Sequence, residues 1–529
     1  MGTLRQYEAW LLAGVALLFY GATVSHHLLL PDSAILIDAM RKPEISSNVC
    51  SHNLTNLLGW LFQQLPLANL ALAGNLFSVC CGAAVVGLFF ALLRALLVPR
   101  LVAVLGTLVL MVSHSMWWHS TIVENYALSN IFLVACLLLA TRAADEPRRW
   151  YGMCFLAGLA MFNHLQNGAL AIGLAAFYLA CAPRWSGQCW ARLWRGFALY
   201  LLGAAPFFAV LAHDLLRSDD LQNTLHWAVG GGFTPIMFHY DWGRSLTRLA
   251  DWLFQQFPSP FLLLIPLGLV LGVRTLFCSG DLGSPSAATG RRYSPFAAFL
   301  FGVMLTNLAF FLGYETWDQF AFYLELFVCL AVLGALGAAW CWQRCNHAGR
   351  FACGALLAAS VLLPPLIYPQ IPRWAAADTG YWSRRYHAPS IAYAGRYDLV
   401  GIYADLVRHD RGTVEEFIRR LFEQLPPRAL LVDDVSIFYQ AQFIPQHYAQ
   451  RPDVRLMLLQ PPNFAGWGTP GEELIAACNA ETNRVFITTI NGPAADVVNT
   501  LKFGGWRAEK FPLGTEFWIY ELVPLQRRP

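Results

Sequence analysis

Apolar runs of bilayer length recur along the first 370 residues, and no other feature constrains this chain so strongly. About 20 apolar residues carry a helix across the hydrocarbon core of a membrane. Eleven segments meet or approach that length, centred on residues 10–30, 70–96, 101–118, 126–141, 150–162, 167–182, 196–213, 258–275, 295–313, 320–342 and 351–368. The first, Ala9 to Leu30, is too long for a signal-peptide core and carries no small-residue cleavage site, so it reads as a retained transmembrane helix. Charged residues make up only 13% of the sequence, against about a quarter in ordinary soluble proteins. Such a chain cannot cover itself with a charged surface. The expected fold class is a polytopic α-helical membrane protein with about 11 transmembrane helices, followed by a soluble α/β domain.

Arginine placement gives an orientation. With Arg5 in the cytoplasm, alternate short loops hold Arg94 and Arg100; Arg142, Arg148 and Arg149; Arg184, Arg192 and Arg195; Arg291 and Arg292; and Arg344 and Arg350. The opposite loops are nearly free of Arg and Lys, apart from Arg41, Lys42 and a few in the long 214–257 loop. The expectation is an integral inner (plasma) membrane protein with a cytoplasmic N-terminus. Its outer helix ends then carry Asp32, His52, Trp117-Trp118-His119-Ser120 with Glu124, Asn163-His164, and Tyr314 to Asp318. Singly, each is as readily a helix cap or a wetted loop residue. A charge at a helix centre costs about 2.5–3.5 kcal/mol, however, and polar residues gathered on one side read as the wall of an outward-facing cavity. The cluster from Asn163 to Asn167 either caps two half-length helices or sits in a re-entrant turn.

After residue 370 charged residues return, which divides the chain into a membrane unit, 1–370, and an extracytoplasmic α/β domain, 371–529. Thr413–Leu425 has helical periodicity. Strands are expected at Ala429–Val432, leading to Asp433-Asp434, and at Val454–Leu459, Val485–Ile490 and Phe517–Leu522. No glycine-rich phosphate loop follows any of these strands, so no nucleotide site is expected. A net charge of +3 without a basic stripe implies no nucleic-acid partner. The 13 cysteines are mostly scattered within apolar runs and read as small buried hydrophobes rather than a disulfide or zinc framework.

Several stretches carry a family resemblance: Pro31-Asp32-Ser33; His52; His119-Ser120 through Val123-Glu124-Asn125-Tyr126-Ala127-Leu128; Asn163-His164-Leu165; and Tyr314 with Asp318, Phe320, Phe322, Tyr323 and Leu324. In this order, together with the distal Leu-Pro-Pro-Arg-Ala-Leu-Leu-Val-Asp-Asp segment, the chain resembles the GT-C-type membrane glycosyltransferases. The branch is the transmembrane-protein-260-like one (domain of unknown function 2723), related to the protein O-mannosyltransferases. Two motifs depart from the family pattern. Asp32-Ser33 is followed by Ala34-Ile35 instead of Gly and Glu, and His52 by Asn53-Leu54-Thr55 instead of Pro-Pro-Gly. The resemblance implies a GT-C-like fold in a bacterial membrane. It also implies transfer of a sugar from a polyprenyl-phosphate-type lipid donor to an acceptor hydroxyl, on a glycan or a protein, outside the cytoplasm.

That chemistry asks for particular residues. The acceptor alcohol must lose its proton, and Asp32 is the candidate general base; the alternative is a simple cap of the following segment. The departing lipid phosphate needs cations or donors, for which His52, His164, His226, Arg244 and Arg248 are candidates. Arg244 and Arg248, four apart, share one face of an interfacial helix Trp242–Phe257, with Leu246, Leu249, Trp252, Leu253 and Phe257 expected on the lipid side. Equally, that helix could only anchor anionic lipid. Glu124, Asn163, Tyr314 and Asp318 complete the substrate-binding candidates, and Glu325 is expected two turns below Asp318 on one helix face. A divalent metal is compatible with these acids, but no ligand cluster at HExxH-like spacing assigns one. Two other classes remain open. A lipid or solute transporter or flippase is disfavoured by the missing inverted repeat, the odd span count and the sizeable outer domain. The second is a non-catalytic scaffold binding a partner through that domain.

Overall fold

The computed structural model describes residues 2–29, 31–42, 45, 52–185, 187–230, 237–238, 240–277, 287–314, 319–377, 405–407, 413–433, 451–459, 469–481, 483–488, 494–514 and 517–525. A helix lies in each of the eleven apolar segments. They are α1 (Gly2–Ala22), α4 (Leu70–Ala95), α5 (Arg100–Met111), α7 (Tyr126–Ala143), α8 (Pro147–Met161), α9 (Gly168–Cys181), α10 (Cys189–Arg217), α13 (Leu264–Phe277), α14 (Ala287–Leu312), α16 (Leu324–Arg344) and α17 (His347–Ile367). Among the described residues seven helices are long and apolar enough to cross a membrane. The protein is a polytopic integral membrane protein.

Shorter helices sit between the long ones: α2 (Pro31–Arg41), α3 (Asn53–Gln63), α6 (His114–His119), α11 (Leu221–Ala228), α12 (Trp242–Gln256), α15 (Gln319–Phe322) and α18 (Ile371–Ala377). Three boundaries differ from the sequence reading. The first helix stops at Ala22 rather than Leu30. Ser25 accepts the His27 N–H on its hydroxyl and donates to the His27 carbonyl, a local side-chain turn that competes with helix. Segment 101–118 splits after Met111 into α5 and α6. The third break is at Tyr323, between α15 and α16. Glu325 therefore belongs to a helix that begins at Leu324, and Asp318, its expected partner on one helix face, lies outside the described residues.

Helix pairing relies on close backbone approach, which small residues permit. A Cβ on Gly158 of α8 would collide with the carbonyl of Tyr200 in α10, and one on Gly203 of α10 with the carbonyl of Phe155 in α8. This reciprocal pair fixes α8, and with it the turn at Asn163-His164. Buried side chains such as Phe89, Trp117, Trp118, Phe299 and Phe327 fill the bundle.

Among the described residues the C-terminal region holds α19 (Thr413–Gln424), α20 (Gly471–Ala480) and α21 (Ala494–Phe503) around five strands. These are β1 (Leu430–Asp433), β2 (Arg455–Leu458), β3 (Val485–Ile487), β4 (Trp506–Pro512) and β5 (Trp518–Pro524), in the order β2-β1-β3-β5-β4. The β2-β1-β3 set is parallel, with Leu431 opposite Leu456 and Phe486; β5 runs antiparallel to both β3 and β4. Alternation across the sheet divides its apolar residues. Leu430 and Val432 pack with Leu474 and Val498, whereas Leu431 and Phe486 join Phe417, Ile418 and Leu421 of α19 in the apolar core that continues into the helical bundle. β4 was not legible in the sequence: its pattern Trp-Arg-Ala-Glu-Lys-Phe-Pro interrupts the apolar residues with Arg507, Glu509 and Lys510, as suits an edge strand.

Candidate active site

Three connecting segments that the sequence places on one side of the membrane meet at one end of the bundle. The first is the α1–α2 connection, residues 23–29. Trp117 donates to the Thr23 hydroxyl at 2.9 Å. The Ser25 N–H donates to the Thr121 carbonyl at 2.9 Å, and Asn69 donates to the His26 carbonyl at 2.7 Å. Asn75 of α4, 1% exposed, joins this connection to the second segment. Its nitrogen donates to the Ser25 carbonyl at 2.7 Å and its oxygen accepts the Val123 N–H at 2.6 Å. Next to Val123, the Glu124 N–H donates to Ser78 at 3.3 Å, and the Glu124 side chain is buried. One amide thus ties the approach to Asp32 to the backbone carrying Glu124. Asp32 is the second residue of α2 rather than the end of the first helix. Its side chain lies outside the described residues.

The third segment is the turn between α8 and α9. It caps two helices, one of the two arrangements open from sequence: α8 ends at Met161, and His164 caps a short 3-10 turn, Leu165–Asn167, that leads into α9. Asn163 is buried, and its amide is spent inside the protein. It donates to the Asn125 carbonyl at 3.1 Å and Ser129 at 2.9 Å, and accepts from Thr55 at 2.6 Å. That makes it a strut between α3, α7 and α8. The His52 ring stacks on the His164 ring, with centroids 5.0 Å apart and planes 6° from parallel. Partner chemistry fixes both tautomers. His52 Nδ1 faces the Asn163 carbonyl at 3.3 Å and must donate; His164 Nδ1 accepts the Gln166 N–H at 3.0 Å. The pair therefore offers a bare Nε2 on His52 and an Nε2–H on His164. Burial holds His52 down to about 4 and His164 well below the ordinary histidine range, the latter lowered further by His52. Both rings are uncharged at neutral pH. His52 also has a left-handed backbone, φ 57°, a conformation that costs energy in a non-glycine residue.

From this pair a chain of rings crosses the site. Tyr126 lies 5.8 Å from His164 and 4.7 Å from His119. Phe320 lies 5.8 Å from His119, 5.2 Å from His114 and 5.3 Å from Trp252 of α12. His119 is 1% exposed, and neither of its ring nitrogens has a hydrogen-bond partner among the described residues. Burial, then the neighbouring His114, keeps it well below the ordinary range.

The amphipathic α12 faces inward, correcting the expectation of a lipid-facing stripe. Leu249, Trp252 and Leu253 pack on the core, Phe257 is 1% exposed, and of the expected lipid contacts only Leu246 is exposed. Gln256 accepts from the Ser115 N–H at 2.9 Å and donates to Ser113 at 2.8 Å. Gln255 donates to His114 at 2.7 Å, and Tyr368 donates to the Gln255 carbonyl at 3.0 Å. These contacts dock α12 on the paired-Trp turn. Arg244 is exposed in its first turn, where Asp241 caps its backbone N–H. Arg248 is half-buried beside Tyr323. Tyr314 is buried against Phe322 at 4.9 Å. Asp318 lies outside the described residues. His226 sits exposed on α11, whose Ala228 packs in the cluster with Phe162, Leu54 and Leu165 next to the histidine pair.

Sequence reading missed Asn75, Ser78, Gln255, Gln256, His119 as a site residue, and Asn307, which joins Gln166 to Glu325 in one polar line. In that line Gln166 donates to Asn307 at 3.4 Å and Asn307 to Glu325 at 3.1 Å. Lone amides inside apolar runs were the available signal.

Residues 52–186 match the family model of the protein O-mannosyl-transferase TMEM260 N-terminal domain. The crystal structure of ArnT from Cupriavidus metallidurans bound to undecaprenyl phosphate matches this chain with a TM-score of 0.61 and 12% identity, covering 98% of each chain. The fold is that of the GT-C membrane glycosyltransferases. The apo crystal structure of the same ArnT matches with a TM-score of 0.60 and 11% identity, covering 97% of each chain. No curated protein matches this chain by sequence. Within the GT-C fold, the family match takes in His52, Glu124, Asn163 and His164; Asp32 precedes it, and α12 with Arg244 and Arg248 follows.

Proposed function

We propose that this GT-C protein transfers a sugar from a polyprenyl-phosphate-type lipid to an acceptor hydroxyl on the extracytoplasmic side of a bacterial inner membrane. Residues 1–370 form the membrane unit and 371–529 an extracytoplasmic domain. The observation that carries this reading is the hydrogen-bonded junction of residues 23–29, 121–125 and 163–167 at one end of the bundle. The fold adds support, since ArnT, which shares it, was crystallised with undecaprenyl phosphate.

In the proposed step the acceptor oxygen forms a bond to the anomeric carbon as the bond from that carbon to the phosphate oxygen breaks. Asp32 takes the acceptor proton as general base. The electron pair leaves with the lipid phosphate, whose growing charge is met by Arg244 and Arg248. His52 and His164, being neutral, bind hydroxyls rather than charge, one as acceptor and one as donor. Glu124, Tyr314, Asp318 and His226 are assigned to binding the sugar and the acceptor, and Asn163 holds the turn of His164 to α3 and α7. The test is reconstitution in liposomes with undecaprenyl-phosphate mannose, a probe suggested by the O-mannosyl-transferase family match, and other lipid-linked sugars as further arms. Acceptor-dependent loss of the sugar from the lipid, with release of lipid phosphate, is the expected result. Movement of intact lipid-linked sugar between leaflets would make the protein a flippase instead.

A further inference from the structure

The α1–α2 connection is gripped by the C-terminal region as well. Glu415, in the first turn of α19, places one carboxylate oxygen 2.8 Å from His27 Nδ1 and accepts the Leu28 N–H on the other at 3.0 Å. Among the described residues it makes no other hydrogen bond. Its neighbour Glu416 is taken instead by Arg419 and Arg420, and Arg419 also reaches Glu423. The helix thus has arginine at the i+4 position from Glu415, yet Glu415 is turned to a segment 387 residues earlier in the chain. Behind the contact, Leu28 and Leu29 are buried in the same apolar core as Phe417 and Ile418. Asp32 follows Leu28 by four residues, a reach of at most about 14 Å even when fully extended.

We propose that Glu415 is a positioning residue for the transfer site, a latch through which the C-terminal domain sets the place of Asp32. The inference rests on the reading of Asp32 as general base. Even with His27 protonated, a half-exposed pair of this kind adds little to stability. Its consequence is geometric. A backbone N–H and an imidazole held by two oxygens of one carboxylate fix both the rotation and the height of the chain entering α2. Misplacing a reacting group by about 1 Å can cost 10²-fold in rate.

The experiment compares wild type with Glu415→Ala, Glu415→Gln and His27→Gln in the full-length protein. Hydrogen exchange over residues 24–32 and transfer from undecaprenyl-phosphate mannose are both measured. Glu415→Ala is expected to speed exchange at Leu28 and its neighbours at least tenfold while exchange in α4 and α7 stays unchanged. Its kcat is expected to fall about tenfold or more at an unaltered half-saturating donor concentration. Glu415→Gln, which keeps an acceptor for Leu28, is expected to fall between, and His27→Gln to add nothing once Glu415 is gone. Unchanged exchange in Glu415→Ala overturns the latch, as does faster exchange with undiminished kcat. If wild type transfers no sugar, the proposed function fails and this assignment of Glu415 falls with it, while exchange still decides whether the carboxylate holds the segment.

Discussion

Replacing Asp32 by Asn is expected to lower glycosyl transfer by about 10²-fold or more, the range that a positioned general base supplies. The substitution keeps size and hydrogen-bonding capacity but removes the basic oxygen, so the acceptor hydroxyl has nowhere to send its proton. In the proposed step Asp32 acts only as the acceptor attacks, so the half-saturating concentration of the lipid donor should hardly move while kcat falls. Protein level and melting temperature should stay near wild type. The first motif sharpens this expectation: Asp32-Ser33 is followed by Ala34-Ile35, so the motif itself holds no second carboxylate to take over, and the next acid in the chain is Asp38. If Asp32→Asn retains transfer and Glu124→Gln loses it, the base is on the other segment joined by Asn75.

Asn75→Leu is expected to have the larger effect on stability, together with loss of transfer. It removes two buried hydrogen bonds at once and leaves the Val123 N–H and the Ser25 carbonyl without the amide they share. A buried polar group deprived of its partner costs about 1–3 kcal/mol, so the pair costs about 2–6 kcal/mol. Asn75→Asp separates the two bonds. It keeps the acceptor for Val123 but presents an oxygen to the Ser25 carbonyl, and should be damaged on the Asp32 side only. Thermal melting in detergent and the transfer assay measure both. A stable, active Asn75→Leu protein would mean that the two segments do not depend on this bridge.

How legible these features were follows from their range. Apolar length and arginine alternation are properties of one segment at a time, and a helix lies in each expected segment. So it is with Leu430–Asp433 and Val485–Ile487, buried apolar strands bounded by polar residues. The stop of α1 at Ala22 depends on a serine turn within a stretch still apolar enough to pass for helix. Asn75 reads, in Leu-Ala-Gly-Asn-Leu-Phe, as one tolerated amide in a span; its partners lie 48 and 50 residues away. Glu415 reads as one of several surface acids until the fold brings it to His27. The inward turn of α12 was missed because amphipathicity shows that a helix has an apolar face without saying whether lipid or protein covers it.

The account depends most on which compartment the joined segments face, and reporter fusions measure this directly. Fusions ending at Thr316 and at His347 should report opposite compartments, with Thr316 and the C-terminus of the full chain outside. Both fusions on one side, or Thr316 in the cytoplasm, would put the junction of Ser25, Val123 and Asn163 in the wrong place for a lipid-linked sugar presented outside, and would contradict the proposed reaction.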